Sequence, residues 1–147
     1  MQGCTTALHY AVYNNNGPVA LFLLEHGADV TITDSSGMTP FLLAADRGNL
    51  QLCTLLMERI TPEQTQVLDK YGRNALALAV NNGHVHVADY LVKRGFSSQF
   101  KTPPPRGWNL LFFAIGTKNE AIVKFCLDQG ISPLEACDVD LSLLDYS

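Results

Sequence analysis

The chain has 147 residues, 47% of them hydrophobic and 16% charged, which is ample material for a folded core. Its formal net charge of -4 argues against a surface for duplex nucleic acid or anionic lipid, because either needs a concentrated Lys/Arg face. No apolar run approaches the roughly 20 residues of a membrane span, and the amino end carries no basic stretch followed by an apolar block, so a soluble intracellular chain without direct membrane insertion is expected.

Taken in chain order, the elements repeat. Thr6-Ala7-Leu8-His9-Tyr10-Ala11 opens with a residue whose oxygen can cap a helix and predicts a first helix over 7–14. Val19, Phe22 and Leu23 follow at helical spacing and predict a second over 17–26, ended by Gly27. Asp34-Ser35-Ser36-Gly37 marks a turn, and Thr39-Pro40-Phe41-Leu42-Leu43-Ala44 begins the pattern again, with Pro40 at the preferred first helical position. Helices are predicted over 40–47 and 50–59, the latter presenting Leu52, Leu55 and Leu56. Ile60 then stands where a glycine is expected. Thr61-Pro62-Glu63-Gln64 has the form of a helix start, which predicts an extra helical turn in this connection.

After the turn Asp69-Lys70-Tyr71-Gly72, the segment Asn74-Ala75-Leu76-Ala77-Leu78-Ala79 predicts a helix over 75–82, and Val87, Tyr90 and Leu91 predict one over 85–94. Pro103-Pro104-Pro105 removes three N–H donors from the next turn and predicts a stiffened, imperfect hairpin. Asn109-Leu110-Leu111-Phe112-Phe113-Ala114 and Ile122, Phe125, Cys126 predict helices over 110–117 and 120–129. Ser142-Leu143-Leu144-Asp145-Tyr146-Ser147 begins a fifth copy. The caps recur at intervals of 33, 35, 35 and 33 residues. Each unit is therefore two helices and a turn, which cannot close a core alone but can do so by stacking. Leu56, Leu76, Leu91 and Leu111 are expected between units.

Catalytic patterns are absent from the sequence. Cys4, Cys53, Cys126 and Cys137 form no Cys-x-x-Cys pair, and Cys53 and Cys126 lie on apolar helical faces as reduced core thiols. His84 and His86 stand two residues apart on a helix, about 200° around its axis, which does not suit a metal pair. Nothing in the sequence orients Cys4 and His9 as nucleophile and base. No enzyme activity, cofactor or metal is expected.

These residues resemble the ankyrin repeat family, through Thr6-Ala-Leu-His9-Tyr-Ala11 with Leu23-Leu24-Glu-His-Gly27-Ala28-Asp29, Gly37-Met-Thr39-Pro40-Phe-Leu-Leu-Ala44-Ala45 with Gly48-Asn49, and Gly83-His84 with Leu91-Val-Lys-Arg-Gly95. The resemblance covers the whole chain and implies an all-α solenoid with repeats at about 1–33, 34–68, 69–103 and 104–136 and a partial unit at 137–147. The family's histidine survives only as His9; Leu42, Ala77 and Phe112 exchange its hydrogen bonds for apolar packing, and Asp145 holds its place in the partial unit.

The resemblance implies a non-catalytic module that binds a protein partner, either as an adaptor or as the regulatory or targeting part of a larger enzyme or channel. The chain is expected to be monomeric or part of a longer one, and nucleic acid is not an expected partner. In the family, ligands are held along the concave side by turn tips and first helices. Carried onto this chain, Met38, Arg73 and Trp108 form one row after the turn glycines, flanked by Tyr71 and Arg106. Tyr13, Asp46, Arg47, Asn81 and Asn82 form a second row beside it. Trp108 is the first choice for a partner contact, Trp, Tyr and Arg being enriched at binding hot spots; its alternative role is local packing on Pro103–Pro105.

Overall fold

A computed structural model describes residues 5–104 and 107–132. Among these, eight α-helices form four antiparallel pairs: Ala7–Tyr13 (α1) with Gly17–Glu25 (α2), Pro40–Arg47 (α3) with Leu50–Met57 (α4), Ala75–Asn81 (α5) with Val85–Lys93 (α6), and Leu110–Thr117 (α7) with Glu120–Asp128 (α8). The chain is thus an all-α solenoid, and the partial fifth unit at 137–147 lies outside the described residues. Each first helix starts at the expected cap. Thr6, Thr39, Asn74 and Asn109 accept from the N–H three residues on, at 3.3, 3.2, 2.9 and 3.1 Å, satisfying a donor that the helix leaves orphaned.

Observed helix ends match the expected ones or fall one or two residues short of them. Asparagines explain two of these ends, because Asn14 and Asn82 turn their side-chain amides back to the carbonyls of Tyr10 and Leu78, each at 3.0 Å, competing with continuation of the helix. The extra turn after α4 is present as a 3-10 turn over Pro62–Gln66, although Thr61 makes no side-chain capping bond to it. Gly27, Gly95 and Gly130 take positive φ at the ends of α2, α6 and α8, as left-handed C-terminal caps require.

The first helices pack on one another along the stack more closely than the second helices do. Ala11, Ala44, Ala79 and Ala114 are buried at the same place in each unit and permit that approach. The array therefore curves, with the first helices on its concave side. Leu56, Leu76, Leu91 and Leu111 are all buried between units. Side chains also join units at the starts of the second helices. Asn49 donates to Asn15 Oδ1 at 3.2 Å, and His84 Nε2 donates to the Asp46 carbonyl at 2.9 Å. His84 precedes α6 but makes no capping bond, its ring being used across the unit boundary instead.

Equivalent positions differ at the two ends of the described stack. Val12, Ala45 and Val80 are fully buried by the unit that follows, whereas their counterpart Ile115 is 58% exposed. On the other side Val19 and Phe22, expected on a core face, are 44% and 59% exposed. Their counterpart Leu52 is buried and Leu55 half-buried, because α4 has a preceding unit to lie against and α2 has none among the described residues.

Candidate partner-binding surface

The hairpin turns are built by aspartates. Asp34 Oδ1 accepts from the N–H groups of Ser36 and Met38 at 2.9 and 3.0 Å, and Asp69 Oδ1 accepts from Tyr71 and Arg73 at 2.9 and 3.0 Å. One carboxylate thus holds two backbone donors and folds the tip. Asp69 goes further: its Oδ2 accepts from Arg73 Nε at 3.0 Å and Nη2 at 2.8 Å, with the carboxylate fully buried. Arg73 is thereby fixed against its own turn. The third hairpin uses Thr102 instead, whose Oγ1 accepts from the Trp108 N–H at 2.9 Å and whose N–H donates to the Trp108 carbonyl at 2.9 Å. Pro103 and Pro104, which follow Thr102, leave this closure intact.

Neighbouring turns touch. The Lys70 N–H donates to the Ser36 carbonyl at 3.0 Å, and a Cβ added to Gly37 would stand 2.8 Å from the Lys70 nitrogen. Only glycine, here at φ +78, permits both the left-handed turn and the close approach.

Beyond the second of these turns lies a groove of about 300 Å³, lined by Tyr71, Arg73, Asn81, Trp108, Phe112 and Phe113. The Trp108 ring is stacked on Phe112 with centroids 4.4 Å apart and 14° between planes, and it meets Phe113 edge-on at 6.1 Å. The opposite wall is Tyr71, 49% exposed, with the Arg73 guanidinium 5.1 Å and the Lys70 ammonium 5.2 Å from its ring centroid. These distances suit cation–π attraction. Trp108 is only half-buried, so its indole is braced by Phe112 while part of it faces solvent.

The expected rows are partly assembled. Tyr71, Arg73, Asn81 and Trp108 meet in the groove. Met38 does not belong to the surface: it is only 8% exposed, its side chain lies in the core, and its carbonyl accepts from His9 Nε2 at 2.9 Å. A residue following a turn glycine faces inward when it is apolar and the neighbouring first helix can cover it. Within the second row, the Arg47 guanidinium sits 4.4 Å over the Tyr13 ring, and Asn82 donates to Asp46 Oδ1 at 2.7 Å. Tyr13, Arg47 and Asp46 lie on first helices and Asn82 directly follows one, and each pair ties two units across their boundary. Arg106 lies outside the described residues.

Sequence reasoning missed Asp69, Lys70, Phe112 and Phe113. Phe112 occupies the place of His9, Leu42 and Ala77, all buried, but it is only half-buried and becomes the platform under Trp108. Two aromatics four residues apart on a helix start were the available signal.

Other polar groups are committed to structure. His9 receives the Thr6 hydroxyl at Nδ1, 2.9 Å away, while Nε2 donates to Met38, so neither nitrogen is open to act as a base. Burial pushes the Cys53 thiol up to about 12 and the Cys126 thiol to about 11, far from the thiolate form that reacts or binds metal. Cys4 and Cys137 lie outside the described residues. Among the described residues no three His, Cys, Asp or Glu side chains gather as a metal site, and no helix is long and apolar enough to cross a membrane.

Comparison with known proteins agrees with this architecture. Residues 8–102 match the family profile described as "Ankyrin repeats (3 copies)". Shorter stretches are similar to potassium channel AKT1 of Oryza sativa subsp. indica (46% identical over 55 residues, 37% of this chain and 6% of the channel). Others are similar to the RelA-associated inhibitor of Mus musculus (42% over 53 residues, 36% and 7%) and to the 2-5A-dependent ribonuclease of Homo sapiens (41% over 51 residues, 35% and 7%). The matched stretches span between 5% and 8% of the relatives' own lengths. The ankyrin fold is a non-catalytic interaction fold, even where, as in the ribonuclease, it occurs within a protein named for an enzymatic activity. With a profile match over most of its length and a stack of helix pairs joined by Asp- and Gly-built hairpins, this chain belongs to the ankyrin repeat family.

Proposed function

We propose that this chain is an intracellular protein-binding module whose partner is held on the concave side, in the groove between Tyr71 and Trp108. The observation that carries the reading is the exposed Tyr71 facing one groove with the half-buried Trp108–Phe112 stack, Tyr71 and Trp108 each set in a hydrogen-bonded hairpin. Rigid aromatics bind at low entropic cost because little side-chain freedom remains to be lost. Recovery of the partner from native extract, followed by affinity measurements on Trp108→Ala, Tyr71→Ala and an outer-face control, Lys124→Ala, tests it. The two groove variants should bind at least tenfold more weakly than the control at matched thermal stability. Equal binding by all three would place the partner elsewhere.

A second reading, a regulatory or targeting module of a larger protein, is supported by the small share of each relative that the matches cover. The mass of the native protein separates the two readings.

A further inference from the structure

Asn81, the last residue of α5, lines the groove. Its neighbours are spoken for: Asn82 donates to Asp46 and Leu78, and Asn74 and Asn109 cap helices. The Asn81 carboxamide has no such partner among the described residues. That carboxamide carries two donors and a carbonyl acceptor, on a residue that lines the same groove as Tyr71 and Trp108. Lys70 does not line the groove itself, but its ammonium lies 5.2 Å from the ring centroid of Tyr71, which does. The ion pairs among the described residues are Arg73–Asp69 and Lys93–Asp89, so the Lys70 ammonium, beside the Tyr71 ring, lacks a carboxylate although the whole chain carries a net charge of -4.

We infer that the groove takes an extended, acidic peptide segment, which seats one large apolar side chain against Trp108, pairs a backbone amide with Asn81 and places a carboxylate beside Lys70. This inference rests on the groove being the binding site. The chemistry follows from the three groups. A carboxamide offers one donor and one acceptor on the same plane, the complement of the N–H and C=O that a single residue of an extended segment presents on one side. Those backbone groups are free to pair only when the segment is extended, since a helix uses them internally. The aromatic walls accept an apolar side chain, and the uncompensated cation favours a segment with a negative charge over one with a positive charge.

The test uses the full chain and the probe acetyl-Glu-Leu-Ala-amide, with its Lys-for-Glu counterpart and two depsipeptides in which an ester oxygen replaces the Leu or the Ala N–H. Trp108 is the only tryptophan, so its fluorescence reports occupancy directly. The Glu probe should bind saturably, the Lys probe at least threefold more weakly, and one depsipeptide five- to tenfold more weakly. Asn81→Leu should lose a similar factor for the Glu probe and discriminate no longer between that depsipeptide and the parent. Asn81→Ser, which keeps a small polar group, serves if Asn81→Leu disturbs the helix end. A saturable Trp108 response with no preference for Glu over Lys, or with no effect of the Asn81 variants, overturns the peptide register and leaves the groove reading standing. No Trp108 response to any probe overturns both. An equal response to a thymidine oligonucleotide assigns the groove to stacking on bases instead.

Discussion

Replacing Gly48 by alanine separates two forces that act at one atom. Gly48 ends α3 at φ 75 and ψ 22, a left-handed conformation that costs a residue with a Cβ about 1 to 2 kcal/mol. A Cβ there would also stand 2.6 Å from Cγ and Cε1 of His84, well inside contact distance, so the ring must leave the position from which Nε2 donates to the Asp46 carbonyl. Losing that bond costs about 0.5 to 1.5 kcal/mol. Gly48→Ala should therefore destabilise by about 1.5 to 3.5 kcal/mol. Gly27→Ala, at φ +85 with open space around it, carries the conformational cost alone, about 1 to 2 kcal/mol. Urea unfolding followed by far-ultraviolet circular dichroism measures both. In the double variant Gly48→Ala/His84→Ala the ring is gone, so the combined loss should fall short of the sum of the two single losses by about one hydrogen bond. If Gly48→Ala is no worse than Gly27→Ala, or if the double variant is strictly additive, the imidazole is not wedged against that glycine.

Two further outcomes follow from burial. Leu76→Ala, at a fully buried site, should cost about 2 to 5 kcal/mol through lost transfer energy and a cavity, whereas Ile115→Ala, at a 58% exposed site, should cost less than about 1 kcal/mol; equal midpoint shifts would refute the assignment of faces. Cys53 and Cys126 should resist alkylation in the native chain near pH 8 and react on unfolding, as peptide mapping can show. Burial raises both from the ordinary 9.0, to about 12 and about 11, so the unfolded chain loses these protons first. Their stabilising contribution is complete below pH 9 and is lost as pH rises from there through 11 to 12; a stability flat across that range would contradict their burial.

The caps made the fold legible. A residue of the type Thr39 or Asn74 at a fixed distance before a small residue such as Ala44 or Ala79 is local chemistry, and local chemistry reads directly from sequence. Burial depends on neighbours and does not. Val19 and Leu52 have the same place in their units, yet one is exposed and the other buried, because among the described residues a unit lies on one of them only. Met38, Arg73 and Trp108 likewise share a place after the turn glycine, and their fates diverge with polarity: an unbranched apolar chain enters the core, a guanidinium finds Asp69, and an indole too large for the interior lies on Phe112. Phe112 itself was hidden in the sequence by standing at a position that is buried in the other units.

The register of the hairpins also bears on how such a chain tolerates change in length. The second unit runs 35 residues from cap to cap where the first runs 33, and the 3-10 turn at Pro62–Gln66 lies in its longer connection. The bond from Lys70 to Ser36 still brings the two turn tips together. Extra residues are thus absorbed in a connection that does not line the groove, at a loop-closure cost that grows only by about 0.6 kcal/mol per doubling. The stretch between Thr61 and Gln66, which is exposed or half-buried, is accordingly the place to graft an epitope, a dye or a second domain: the insertion would lengthen a connection that already varies while the spacing of Tyr71 and Trp108 stayed as it is.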